Sequence, residues 1–311
     1  MTIPHRPLAG CVVSLSISES DDNLQRGFPS WQVNRVTLQI VAALFGQGAS
    51  VVFGHDWRED GVMEAVHGFA RQMQPPVPLS PADAAAEAQP LLRNLIPWPE
   101  NPHLPQRDLE MLRSTLRVEP AGLPNELRAF DQEARVAAPE SAIHRYVRAR
   151  GLTFLRHRLN EACHVRLCIG GRRSGFAGRY PGVTEEALMA VGIGKPLYLA
   201  SFLGGATQEI VNAIEGKEIA ADFCNPAPLQ DLYERPPVAE LDEGTRGDRV
   251  IDRTAVWRTF AEFGRERLAA ANGLTVAEND ELHHTPVIDR TIELVLNGVS
   301  RRWRDLAPKT D

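Results

Sequence analysis

A glycine-rich loop in the second half of the chain carries residue types that bind phosphate. The segment "IGGRRSGFAGRYPGVTEEALMAVGIGKPLYL" (169–199) joins an apolar run to a helical pattern that begins with two glutamates. Gly170 and Gly171 would let the backbone approach a ligand closely, and Gly175 and Gly178 would permit positive φ angles. Successive N–H groups that lead into a helix N-terminus form an anion-binding site. The segment therefore predicts a nucleotide-binding loop.

Polar and charged side chains of the same segment would complete this loop. Its arginines supply positive charge for a phosphate, and its serine supplies a hydroxyl. Glu185 and Glu186 fall in the first helical turn, where the helix dipole also favours carboxylates, so a role confined to starting the helix stays open. The binding residues predicted in this segment are Gly170, Gly171, Arg172, Ser174, Gly178, Arg179, Gly182 and Glu185.

Three further loops would lie at the same edge of a parallel sheet, because each follows a predicted strand. Ligands of open α/β sheets bind outside the carboxyl ends of the strands. The loop at 14–20 offers hydroxyls and a carboxylate, the loop at 54–61 offers a glycine, an aspartate and an arginine, and the turn at 202–209 offers a glycine pair. Helix caps and solvated turns are the alternative roles of these loops. The residues predicted to contact the ligand are Ser16, Ser18, Glu19, Ser20, Gly54, Asp56, Arg58, Gly204 and Gly205.

The periodicity around these loops indicates an α/β fold. "CVVSLSI" (11–17) is a β-branched, apolar run typical of a buried strand. "SWQVNRVTLQIVAALFGQG" (30–48) places apolar side chains at helical spacing, with Ser30 as the N-cap and Gly48 as the stop. A second apolar strand follows at "ASVVFG" (49–54). Strand, helix and strand in succession predict a Rossmann-like parallel sheet flanked by helices.

The remaining elements extend this pattern and end in helices. The periodicity is weakest over residues 75–140, which we treat as an insertion. A helix is predicted over 61–73, a strand at "LLRNLIPWP" (91–99) and a surface helix at "PQRDLEMLRSTLRV" (105–118). Helix and strand patterns then alternate at 141–162, 163–171, 183–194, 195–202 and 204–216.

Two long helical patterns, at 252–273 and 289–306, end the chain. The sequence leaves open whether they pack on the sheet or on a second subunit. We expect a nucleotide-binding domain over 1–245 and a helical C-terminal extension over 246–311.

Composition restricts the class of protein and of ligand. Hydrophobic residues make up 43% and charged residues 24% of the chain, as is ordinary for a globular protein that buries a core. The net charge of −6 argues against nucleic acid as a partner, because non-specific binding to it needs a basic face. The sequence contains neither a leader pattern nor an apolar run long enough to span a membrane, so a cytoplasmic location is expected. No cofactor is predicted.

Neither the cysteines nor the histidines have the spacing of a metal site. The four cysteines form no CxxC pair and are expected to be buried thiols. His283 and His284 lie near Asp280, Glu281 and Asp289, but they flank a proline turn before a helix. Capping and surface roles are therefore favoured over metal binding, and no metal site is predicted.

Three blocks of the sequence together resemble the SLOG superfamily, which includes the Rossmann-like domains of the Smf/DprA proteins and of the LOG phosphoribohydrolases. The blocks are "SLSISES", "ASVVFGHDWREDGV" and "FLRHRLNEACHVRLCIGGRRSGFAGRYPGVTEEALMAVGIGKPLYLASFLGGA", and the resemblance runs from 11 to 216. The last block is the most specific. It is similar to a branch in which a strand with GGR, a glycine-rich loop, PGxxEE, GKPLYL and GGA follow in that order.

LOG enzymes cleave the N-glycosidic bond of a nucleoside monophosphate with a glutamate of a PGGxGTxxE motif and an arginine on the helix before the strand. The resemblance implies Glu186 as this glutamate and Arg156 as this arginine, with Val183 in place of the motif's threonine. A carboxylate near C1 of the ribose can stabilise an oxocarbenium-like state, and the arginine can hold the phosphate. The same two residues would serve equally well as a ribose and phosphate clamp.

Two functions follow from the resemblance. The first is a sensor or binding module for a nucleotide or a nucleotide-derived ligand, as in the bacterial signal-recognising branches. The alternative is an N-glycosidase that cleaves the base from a nucleoside monophosphate or an NAD-like dinucleotide. The resemblance also implies a homodimer and makes the chain a candidate for anti-phage defence.

Overall fold

The computed structural model describes residues 6–54, 90–98, 115–130, 141–223 and 252–307, together with a few single positions between these ranges. The described residues form one sheet of parallel strands. In chain order its strands are β1 (Val12–Ser18), β2 (Ser50–Gly54), β3 (Leu92–Ile96), β4 (Leu116–Pro120), β5 (Val165–Gly170) and β6 (Leu197–Ala200). Their order across the sheet is β4-β3-β2-β1-β5-β6.

The strand order reverses beside β1. From β1 the chain adds β2, β3 and β4 on one side, and it then returns to add β5 and β6 on the other. Ser16 lies opposite Cys168, and Ser18 lies opposite Gly170, across β1 and β5. A crevice opens at such a switch point, because the two chain segments leave the sheet in opposite directions. The predicted Rossmann-like parallel sheet is confirmed.

The sheet is flanked by helices, as predicted. Within the described residues these are α1 (Ser30–Gly46), α2 (Ala142–Ala162), α3 (Gly182–Gly192), α4 (Gly205–Ile214), α5 (Arg253–Asn272), α6 (Val276–His284) and α7 (Ile288–Leu306). None of them is long and apolar enough to cross a membrane. Pro29 is the N-cap of α1, so the prediction of Ser30 is wrong by one residue. Ser141 caps α2 by accepting a hydrogen bond from the His144 N–H at 3.1 Å.

Successive side chains of β1 point to opposite faces of the sheet, and different helices pack on the two faces. Val13, Leu15 and Ile17 share an apolar core with residues of α1 and α7. Ser14 and Ser16 face the opposite side, where α2 and α3 pack. The C-terminal helix α7 therefore packs on this face of the sheet.

Two stretches differ from the sequence prediction. Residues 116–118, predicted as the end of a surface helix, belong instead to the strand β4, in which Leu116 is buried and its neighbour Arg117 is exposed. That alternation is typical of a strand at the edge of a sheet. The sequence prediction also omits α6, which begins with a capping box of Thr275 and Glu278. The helix predicted over 61–73 lies largely outside the described residues.

The described cysteines are buried free thiols, as predicted. Burial raises the pKa of Cys11 and of Cys168 to about 12. Both therefore stay protonated and unreactive at neutral pH. Cys224 lies outside the described residues.

The packing of α7 on the sheet can be tested by truncating its largest buried side chain. Trp303 is 5% exposed, and its ring centroid lies 4.8 Å from that of His164. We expect Trp303→Ala to lower the free energy of unfolding by about 3–5 kcal/mol. Leu306 on the same helix is 40% exposed, so Leu306→Ala is the control and should have little effect. Equal, small effects in urea unfolding would contradict this packing.

Candidate functional site

Three connecting segments meet at the switch point between β1 and β5. They are the β1–α1 loop (19–29), the β5–α3 loop (171–181) and the β6–α4 turn (201–204). The Gly171 N–H donates to the Ser18 carbonyl at 3.1 Å, and the Ala206 N–H donates to the Gly171 carbonyl at 2.7 Å. These bonds bring three of the four predicted ligand-binding loops together in one rim.

A buried arginine lies beneath this rim. Arg166 in β5 is 0% exposed, although it is flanked by apolar residues. Its Nη1 donates to Ser16 Oγ at 2.6 Å and pairs with the Glu186 carboxylate. Its Nε donates to Asn160 Oδ1 at 3.2 Å. Ser16 Oγ also donates to Glu186. We call these four residues the Arg166 network; it joins β1 and β5 to α2 and α3.

A second buried ion pair joins α2 to α3. Arg156 pairs with Glu185, and the Thr153 hydroxyl donates to the same carboxylate at 2.7 Å. Arg156 is 8% exposed and Glu185 is 3% exposed. Each of the two adjacent glutamates therefore has its own arginine. The residues that the resemblance implies as catalytic, Arg156 and Glu186, belong to two different pairs.

The N-terminus of α3 presents N–H groups without acceptors. No hydrogen bond between described residues uses the N–H groups of Gly182, Val183 or Thr184. The preceding Pro181 provides no side-chain cap. The Thr184 hydroxyl is buried and also lacks a partner within the described part of the chain. A β-carbon built on Gly182 would lie only 3.0 Å from Arg156 Nη2, so a guanidinium lies against this turn. Such N–H groups beside a cation favour a bound anion.

The N-terminus of α4 already binds an anion of the protein itself. Asp22 Oδ2 accepts a hydrogen bond from the Gly205 N–H at 3.0 Å and pairs with Arg173 Nη1 at 2.5 Å. The Arg173 N–H donates to Asp21 at 2.8 Å. Asp22 therefore lies where the sequence prediction for Gly204 and Gly205 expects a ligand phosphate.

Several glycines of the rim are required by contacts within the protein. Gly170 and Gly171 have φ angles of 67° and 88°. A β-carbon on Gly171 would lie 2.6 Å from Val183 Cγ2. Gly178 does not adopt the positive φ that the sequence predicts; the space for its β-carbon is taken by the guanidinium of Arg156. Close packing explains these glycines without a ligand, so their predicted binding role stays a prediction.

Other predicted residues of the rim differ in their availability to a ligand. Arg172 and Glu19 are exposed, and neither takes part in a hydrogen bond or ion pair between described residues. Ser18 and Ser174 are partly exposed. The Arg179 guanidinium lies 5.0 Å from the ring centroid of the adjacent tyrosine, within cation–π distance. Arg172 is thus a cation on the rim that is available to an incoming anion.

Two predicted residues have structural contacts, and two more lie outside the described residues. Ser20 Oγ donates to the Leu203 carbonyl and so ties the β1–α1 loop to the β6–α4 turn. A β-carbon on Gly54 would lie 3.1 Å from a methyl group of α2, so a glycine allows close packing there. Asp56 and Arg58 lie outside the described residues.

The sequence that builds this rim matches a known family. A family model described as SLOG cluster2 matches residues 7–282. The chain belongs to the SLOG cluster2 family. The predicted SLOG resemblance is confirmed, and the match extends beyond 11–216 into α6. No curated protein and no solved structure matches the chain.

Sequence reasoning misses two residues that shape the site of this SLOG cluster2 chain. Arg166 could have been found, because a charge inside an apolar strand is expected to be paired. Asp22 gives no such signal: it belongs to a polar turn, and its partner Gly205 is 183 positions away.

Removing one partner of the Arg166 network should destabilise the SLOG cluster2 fold more than replacing both charges. Arg166→Met leaves the largely buried Glu186 without its cation, so we expect the free energy of unfolding to fall by about 3–5 kcal/mol. The double variant Arg166→Met/Glu186→Met should recover most of this loss. Urea unfolding measures both. A double variant as unstable as the single one would refute a pairing of these two side chains.

The internal anion at α4 should make stability depend on pH. Partial burial acts to raise the pKa of Asp22, but the bonds from Gly205 and Arg173 outweigh it and hold that pKa below its usual value. The contribution of the Asp22 carboxylate to the free energy of unfolding is therefore fully present above the unfolded-state pKa of about 3.9. It is lost as pH falls through the lower, folded-state pKa of Asp22. Asp22→Asn should lower the free energy of unfolding by about 1 kcal/mol at neutral pH.

The difference in free energy of unfolding between Asp22→Asn and the parent chain should disappear at acidic pH, because the Asp22 carboxylate of the parent chain is then protonated. Chemical unfolding at a series of pH values measures this difference. The control is Asp289→Asn, since Asp289 is exposed at the start of α7. A destabilisation by Asp22→Asn that is constant with pH would rule out the carboxylate as its source.

Proposed function

We propose that this SLOG cluster2 chain binds a nucleotide or a nucleotide-derived ligand at the carboxyl rim of its sheet, as a sensor or binding module. Membership of the family indicates a nucleotide-related function. The phosphate would bind at the N-terminus of α3, and the rest of the ligand would extend along the crevice between β1 and β5.

The observation that carries this proposal is the first turn of α3, whose N–H groups have no acceptor among the described residues. Gly182, Val183 and Thr184 have N–H groups without internal acceptors, and the guanidinium of Arg156 lies against the same turn. A phosphate there would receive hydrogen bonds from the backbone and would lie at the positive end of the helix dipole, beside a guanidinium that Glu185 already pairs. The exposed Arg172 would supply a further cation from the β5–α3 loop. The N-terminus of α4 is less available, because Asp22 already accepts from Gly205.

The environment of Glu186 favours binding over hydrolysis. Its Oε2 accepts hydrogen bonds from both Arg166 and Ser16, and the side chain is 13% exposed. In a glycosidase this carboxylate has to act at C1 of the ribose. A carboxylate that is engaged by a buried guanidinium is poorly placed to turn toward a substrate, since turning would leave Arg166 unpaired in the core. We therefore rank the N-glycosidase function second.

Binding can be tested with AMP, NAD and ADP-ribose as probes. We expect at least one of them to bind in calorimetry and to raise the melting temperature, with no release of free base in chromatography. Arg172→Ala should weaken that binding about tenfold, because a charge-assisted hydrogen bond to phosphate is lost. Arg267→Ala is the matched control, since Arg267 is an exposed arginine of α5, away from the rim.

The outcomes of this experiment distinguish the role of Arg172, the class of ligand, and binding from hydrolysis. Equal affinity of the two arginine variants and the parent chain would remove Arg172 from the site. Absence of binding by all three probes would count against a site for adenine nucleotides. Release of base that Glu186→Gln abolishes, in a variant that still unfolds cooperatively, would establish the N-glycosidase instead. A homodimer, a cytoplasmic location and a role in anti-phage defence stay predictions from the resemblance.

A further inference from the structure

A group of metal-ligating side chains lies where α4 ends beside α6, at the opposite end of α4 from the rim. Glu215 follows the last residue of α4, and its Oε1 lies 3.3 Å from His283 Nδ1 and 3.1 Å from His284 Nε2. Two imidazole nitrogens therefore converge on one carboxylate oxygen. In a tetrahedral zinc site with bonds of about 2.0–2.2 Å, neighbouring ligand atoms are separated by about 3.3 Å.

Asp280 of α6 supplies a further donor beside Glu215 and His283, while His284 approaches the same Glu215 oxygen. Asp280 lies three positions before His283 and four positions before His284. Residues at these spacings are neighbours on one face of a helix. Ligand atoms of Glu215, Asp280 and His283 all lie within 4.8 Å of one another. Two carboxylates and two imidazoles form a donor set that suits zinc.

Burial fixes one imidazole of this group. The side chain of His283 is 0% exposed, and its Nδ1 lies beside Glu215. Its Nε2, on the other side of the ring, has no hydrogen-bond partner among the described residues and is not one of the proposed ligand atoms. The same His283 is held in place through its backbone, whose carbonyl accepts from the Ser201 hydroxyl at the end of β6. The backbone thus fixes a buried imidazole next to a carboxylate.

A metal ion could displace the two cations that pair with these carboxylates. Lys217 Nζ lies 2.5 Å from Glu215 Oε2, and Arg265 forms an ion pair with Asp280. Their side chains are 56% and 42% exposed, so both can turn toward solvent. As long as Lys217 and Arg265 remain paired with Glu215 and Asp280, they fix the orientation of these carboxylates, as outer partners of metal ligands do.

We propose that Glu215, His283, His284 and Asp280 bind a zinc ion that ties the end of α4 to α6. This site is separate from the rim and independent of the proposed nucleotide-binding function. A bound ion would fix the C-terminal helices to the part of the chain that follows β6, since α6 packs on β6 and on α5 and α7.

The experiment titrates the full chain, after treatment with a chelator, with cobalt(II) and then with zinc. We expect visible absorption typical of tetrahedral cobalt, its loss when zinc displaces cobalt, and a higher melting temperature with zinc. Glu215→Gln and His284→Ala should each weaken zinc binding at least about tenfold, the effect that loss of even an outer partner of a metal ligand has. His284 is 49% exposed at its side chain, so His284→Ala should fold normally.

Matched controls separate this site from adventitious binding. Glu218→Gln and His157→Ala remove an exposed carboxylate and an exposed imidazole elsewhere, and both should bind zinc like the parent chain. Binding that survives in both Glu215→Gln and His284→Ala would overturn the proposal. So would the absence of a cobalt spectrum and of any zinc effect on melting. Failure of nucleotide binding in the separate rim assay would leave this result unaffected.

Discussion

The structure depends on the pairing of one fully buried charge. Arg166 lies in the middle of the sheet, where an unpaired guanidinium would cost several kcal/mol. Ser16 and Glu186 engage its Nη1 and Asn160 its Nε, whereas its Nη2 has no partner among the described residues; the three partners come from β1, α3 and α2. The position of α3 above the switch point is therefore set by an electrostatic requirement of the core as well as by apolar packing. Because α3 is held there, its first turn lies at the rim.

The two helix N-termini of the rim show how one kind of local structure can have two outcomes. Both α3 and α4 begin with glycine after a parallel strand, and both point uncompensated N–H groups toward the same edge. At α4 the first turn is met by Asp22, which Arg173 holds in place. At α3 the described residues provide no such acceptor, and the guanidinium that lies against the turn, that of Arg156, is paired with Glu185 of the same helix. The chain thus supplies an acceptor for the N–H groups at one position and none among the described residues at the other.

Sequence periodicity sufficed for most of the fold, since strands and helices alternate with clear apolar patterns and glycine stops. It failed at α6, which is short and mostly polar, and at β4, a five-residue strand in which charged residues alternate with apolar ones. The candidate site was only partly predictable. Glycines, arginines and glutamates of one continuous loop can be recognised from spacing alone. Which arginine meets which glutamate depends on packing, because consecutive helical residues such as Glu185 and Glu186 point about 100° apart. Contacts as distant in sequence as that of Asp22 leave no local pattern.

The paired glutamates also change the electrostatics that a ligand would meet. The chain as a whole carries a net charge of −6, which would oppose the approach of a nucleotide. Near the first turn of α3, however, both carboxylates are matched by internal arginines, and the exposed Arg172 has no internal partner among the described residues. An ion pair has a weak field at a distance, so the helix dipole and the unmatched Arg172 would favour an anion near this turn, while the equally exposed Glu19 of the β1–α1 loop would oppose it. Glu186, the carboxylate that a LOG-like hydrolase would need to have free, is the one that pairs with Arg166.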